Sequence, residues 1–160
     1  MDSHYYTAYC HQKLLNGLPN AKIKDSERLV NWVRLVKSDA EIKLMNIASQ
    51  ITVLGMKTAF EVINPGVRQC DAVAKIYSTL ISGTKNHGGD YSSIVPLLPT
   101  GKGTSASHLT WSDDEFTQGE ASNIEISGVY KKYHCPMART VLLGKPDLKK
   151  IDTMKKTREA

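Results

Sequence analysis

The sequence predicts an α+β domain with helices packed on a curved, mostly antiparallel sheet. Three observations carry this. A helix-start signature at Ser38–Glu41 opens a long amphipathic stretch, and a second amphipathic stretch follows the turn at Pro65-Gly66. Beyond residue 121 the apolar period then shortens from 3.6 to 2.

Residues 1 to about 28 read as a helical piece followed by a connection. Tyr5, Tyr6, Tyr9, Leu14 and Leu15 supply an apolar face, and Gly17 and Pro19 break the helix. So few apolar residues cannot own a core, and the piece must lean on something else. A short helix over Glu27–Val36 follows, with Leu29, Val30, Val33 and Val36 near helical spacing.

The clearest element starts at Ser38. In the box Ser38-Asp39-Ala40-Glu41 the Ser side chain meets the Glu backbone N–H and the Glu reaches back. Asp39 and Glu41 also suit the positive end of the helix dipole. Ile42, Met45, Ala48, Ile51 and Leu54 begin a broad apolar face that runs to about Ile63, where Asn64-Pro65-Gly66 ends it. A second helix is predicted over Gln69–Ile81, with Val73, Ile76, Tyr77 and Leu80 inward.

After Gly83 the character changes. Residues 85–91 are loop, and 93–99 form an extended apolar run whose prolines, Pro96 and Pro99, restrict it to an edge or irregular strand. Residues 100–108 read as a flexible Gly/Ser loop that delivers His108. Residues 122–131 and 133–143 read as two strands; Ile124 and Ile126 alternate with polar neighbours. Gly144–Asp147 is a turn, and a last helix begins near 147.

Composition narrows the function classes. Hydrophobic residues make up 41% and charged residues 23%, as in an ordinary globular protein. The net charge of +5 gathers toward the C-terminal end, in Lys145, Lys149, Lys150, Lys155, Lys156 and Arg158. No aromatic-studded basic stripe or zinc-finger spacing accompanies it, so no nucleic-acid partner is expected. No run of about 18 apolar residues and no signal-peptide core occurs, so neither a membrane span nor export is expected. The three cysteines, Cys10, Cys70 and Cys135, are widely spaced and fit reduced thiols in a cytoplasmic protein. Gly101-Lys102-Gly103-Thr104 fails the phosphate-loop pattern because Gly103 separates Lys102 from Thr104. Nucleophile-elbow, HExxH and EF-hand patterns are absent.

What remains is a set of polar residues at loop–strand boundaries: Asp90, Tyr91, His108, Glu125, His134 and Cys135. His108 stands where an imidazole can shuttle protons, or where an exposed loop residue has no role. Period 2 puts Glu125 on the face opposite Ile124 and Ile126, either in solvent or in a site. His134 and Cys135 are adjacent in a strand and point to opposite faces, so they cannot form a thiolate pair; Cys135 reads as a packed thiol.

Several segments, in order, resemble one known family. Residues 31–49 (NWVRLVKSDAEIKLMNIAS) resemble the opening of the catalytic domain in the creatinase/aminopeptidase P/prolidase superfamily, and residues 61–77 (EVINPGVRQCDAVAKIY) its second-helix region. Residues 87–101 (HGGDYSSIVPLLPTG), 107–111 (SHLTW) and 124–146 (IEISGVYKKYHCPMARTVLLGKP) resemble its ectoine hydrolase branch. The resemblance implies the first half of a pita-bread domain, with 1–28 a remnant of an N-terminal domain and linker and 29–160 the N-terminal half of the catalytic domain. Met1 then reads as an internal methionine of a longer parent, and the last helix as cut short. The family's two metal-binding Asp positions in this half match Glu125, which can still coordinate, and Pro136, which cannot. Creatinase's own glutamate falls near Ala138. The family's loop histidine matches His108.

The implied reaction is metal-independent C–N hydrolysis that opens the cyclic amidine ring of ectoine, with no cofactor. His108 and Glu125 are its catalytic residues, and Asp90, Tyr91, Tyr133 and His134 line the substrate pocket. A Xaa-Pro or small-peptide metallohydrolase and an inactive fragment are the alternatives. A homodimer is expected.

Overall fold

The structure, a computed structural model, describes residues 6–145 and 147–159. The expectations for Tyr5 and Pro146 lie outside these residues. The chain divides into two compact units, residues 1–39 and 40–160.

The first unit holds α1 (Ala8–Gly17) and α2 (Leu29–Leu35). Thr7 caps α1, its hydroxyl oxygen accepting from the Cys10 N–H at 3.2 Å. Neither helix buries a residue, in keeping with an apolar face too small to own a core. Trp32 and Val33 of α2 are 66% and 72% exposed.

The second unit is built from α3 (Asp39–Val62), α4 (Gln69–Ser82), β1 (Ala121–Tyr130), β2 (Tyr133–Leu142) and α5 (Leu148–Glu159). Helix α3 starts beside Ser38, as the capping signature predicts, and ends at Asn64-Pro65-Gly66, where Gly66 takes φ +83°. Helix α4 presents Val73, Ile76 and Leu80 to the core, with Tyr77 partly buried. Strands β1 and β2 form an antiparallel hairpin in which Glu125 pairs with Ala138 and Ser127 with Pro136.

One face of β1, through Ser122, Ile124, Ile126 and Gly128, is buried. Ile124 and Ile126 join Ile51, Ile76, Leu98 and Phe116 in one core with the two helices. Burying such side chains contributes about 1.5–3 kcal/mol each before entropy is subtracted. The helices cover one face of the hairpin, and Asn123, Glu125 and Ser127 of β1 lie on the other.

Residues 93–99 are irregular, as their prolines require. They meet β1 through the Leu97–Glu125 bridge, and a second bridge joins Thr100 to Ser122. The stretch 100–108, expected as a flexible loop, instead carries a short 3₁₀ turn at Gly101–Ser105. The hydroxyls of Thr104 and Ser105 donate to the carbonyls of Gly101 and Lys102, and Gly101 accepts φ +56°. Local side-chain bonds of this kind order Ser/Thr-rich loops that composition alone makes look mobile. Among the described residues no helix is long and apolar enough to cross a membrane.

Candidate active site

Glu125 lies mid-strand in β1, between two isoleucines turned into the core. Alternation aims its carboxylate at the other face, where it lines a cavity of about 170 Å³. Ser127, one period further, lines the same cavity, and β2 adds His134 and Pro136. Residues 92–95 close it as a wall. Cys135, next to His134, is half-buried and does not line the cavity.

The wall is tied down at both ends. The Asp90 N–H donates to Val129 O at 2.9 Å, and Leu97 and Glu125 exchange backbone bonds of 2.9 and 3.0 Å. The Asp90 carboxylate also pairs with Lys132 Nζ at 2.9 Å, and that ammonium stands 3.8 Å from the centre of the Tyr91 ring. The Lys132 ammonium, then the Tyr91 N–H, hold the Asp90 carboxyl below the usual carboxylate range. Asp90 in turn raises Lys132. Lys131 and Lys132 both take positive φ, +47° and +69°, a turn geometry that suits a two-residue antiparallel hairpin.

Of the residues expected to form the site, the structure brings Glu125 and His134 to one cavity. Asp90 and Tyr91 sit at the start of its wall and engage Lys132 rather than the cavity. The Tyr133 hydroxyl donates to Glu41 Oε1 at 2.9 Å. His108 is exposed, takes φ +59° and is not among the cavity's lining residues; its neighbour Leu109 accepts the Leu98 N–H at 3.2 Å. Sequence reasoning missed Ser93 and Lys132. No pattern links Ser93 to His134, 41 residues away, whose Nε2 accepts the Ser93 N–H.

Positions 125 and 136, which the resemblance assigns to metal ligands, meet at this cavity. Glu125 supplies a carboxylate and Pro136 supplies no donor. Both nitrogens of His134 are engaged, with Ser93 and Lys132 O. Among the described residues no group of three or more His, Cys, Asp or Glu side chains is placed to hold an ion. The described residues at this cavity thus supply fewer than the several N or O donors in fixed geometry that a metal pair needs.

Comparison with known proteins agrees with the fold. The model of metallopeptidase family M24 matches residues 43–160. The ectoine hydrolase of Halomonas elongata is 49% identical over 152 residues, covering 91% of this chain and 38% of that enzyme. The chain thus spans less than two-fifths of that relative's length. Among solved structures, a Xaa-Pro dipeptidase from Bacillus anthracis superposes with a TM-score of 0.81 at 22% identity, covering 94% of this chain and 41% of the other. The prolidase from Pyrococcus horikoshii superposes at 0.79 and 21%, covering 93% and 42%. The chain belongs to metallopeptidase family M24 and has the helices and antiparallel hairpin of its pita-bread fold.

Proposed function

We propose that this chain supplies part of the active site of a hydrolase that opens the cyclic amidine ring of ectoine without a metal ion. The 49% identity to an ectoine hydrolase is the observation that carries the reading. Pro136 beside Glu125 supports the metal-free chemistry, because a ligand position in the cavity holds no donor.

The bonds balance simply. A water oxygen attacks the amidine carbon, one ring C–N bond breaks, and the departing nitrogen takes a proton, leaving an acetylated diaminobutyrate. The attack needs a base for the water and an acid for the nitrogen. Glu125 accepts a charge-assisted hydrogen bond from the cationic amidinium and orients the water. His108 is exposed outside the cavity in this chain, and its part as proton shuttle rests on its match to the family's loop histidine. His134 lines the pocket from β2, Asp90 and Tyr91 hold the start of its wall, and Tyr133 ties β2 to Glu41. The protein acts as a homodimer in the cytoplasm.

The test joins this chain to the part of the Halomonas elongata enzyme that lies outside the match. The chimera should open ectoine at an undiminished rate in the presence of chelator. Cleavage of Xaa-Pro dipeptides only on addition of manganese, with no turnover of ectoine, would replace this reading with a metallopeptidase.

A further inference from the structure

Among the described residues, the wall formed by residues 92–95 has a single hydrogen-bonded fastening between its two ends. Among the described residues, the hydrogen bonds from this stretch to the strands all go to His134 Nε2: from the Ser93 N–H at 3.2 Å and beside the Ser93 hydroxyl at 3.2 Å. The other ring nitrogen, Nδ1, stands 2.9 Å from the Lys132 carbonyl. A backbone N–H can only donate and a carbonyl can only accept. These two partners therefore assign the ring: Nδ1 carries the proton and Nε2 presents its lone pair.

We propose that His134 is a positioning residue that, with Nδ1 protonated toward the Lys132 carbonyl and Nε2 accepting from Ser93, fastens the Ser93 wall of the cavity that Glu125 also lines. The hairpin supports it. Lys132 provides the carbonyl that orients the ring, and its side chain holds Asp90 and Tyr91 at the start of the same wall. The wall and Glu125 thus line one cavity, the space proposed above for a small planar cation. The ligand named in the test rests on the function proposed above; the fastening does not.

The experiment uses this chain with ¹⁵N labelling, at pH 7.5. Long-range ¹⁵N–¹H spectra should show a protonated Nδ1 and a pyridine-like Nε2 at His134. The Ser93 amide should be protected from solvent exchange in the wild type and at least tenfold less so in His134→Leu. His134→Gln, whose Oε1 can accept the same N–H, should restore the protection. Ectoine titrated into the three proteins should bind about three- to tenfold more weakly to the Leu variant alone, the effect of one hydrogen bond. A doubly protonated ring, a protonated Nε2, or equal Ser93 exchange in wild type and Leu variant overturns the proposal. The ¹⁵N pattern decides it even if the Leu variant does not fold. The expected tautomer and protection without any ectoine binding uphold the fastening and count against the ectoine reading.

Discussion

At Gly128 a Cβ would stand 2.5 Å from both Ala48 O and Thr52 N, because β1 runs hard against α3 there. Thr52, fully buried, fills the same junction. Its Oγ1 accepts the Gly128 N–H at 2.9 Å and lies 2.6 Å from Cys135 O and 3.0 Å from Ala48 O, which share its one proton. Gly128→Ala should destabilise the chain by about 1–3 kcal/mol through overpacking. Thr52→Val should cost a similar ~1–3 kcal/mol by stranding buried backbone groups. Chemical denaturation measures both, and an unshifted midpoint for either would show that helix and hairpin are not locked at this point. Asp90 gives a pH test. Its carboxyl is held low in the folded state, so the contribution of its pair with Lys132 is present above the unfolded pKa and lost as pH falls through the folded one. Lys132→Met should move the Asp90 titration upward in carboxylate NMR; no movement would mean the pair does not persist in solution. The face of Glu125 was legible in the sequence, because period 2 depends only on its neighbours. Gly128 and Thr52 were not, since their constraint joins residues 76 apart along the chain.

Among the elements, α2 to α5 and the hairpin were legible to within a residue or two, while the start of α1 was not. Capping, the Pro-Gly turn and the change of period are local signals, and the tertiary packing agrees with them. The stretch 93–99 also read correctly as irregular, since Pro96 and Pro99 cannot donate to a ladder. The 3₁₀ turn at Gly101–Ser105 did not read, because it rests on side-chain-to-backbone bonds that Ser and Thr make in many conformations. The wall of the cavity was equally hidden: its fastenings pair loop atoms with β1, with β2 and with the hairpin turn, and apolar periodicity carries no trace of them.

At the scale of the molecule, α2 leaves Leu29, Val30, Trp32 and Val33 at 59% to 72% exposure. Surfaces of this kind associate, and the chain should scatter light as more than one copy per particle at high concentration. Trp32→Ser with Val33→Glu should shift it toward the monomer, and a wild type that stays monomeric and binds no apolar dye would contradict this. The isolated chain should turn over neither ectoine nor Xaa-Pro dipeptides, since among the described residues the cavity offers Glu125 and an already hydrogen-bonded His134 while His108 lies exposed outside it; turnover by protein free of host hydrolase would contradict that.

Single-turnover ring opening in the chimera, alongside thermal melting, tests whether Glu125 and His108 carry the chemistry. Glu125→Gln keeps volume and removes charge, and His108→Ala truncates an exposed side chain. Each should slow the chemical step by about 10²–10⁴-fold while stability changes by less than about 0.5 kcal/mol. Cys135→Ser should keep most of the rate. An inactive Cys135→Ser beside a fully active His108→Ala would contradict the account and assign the reaction to a thiolate.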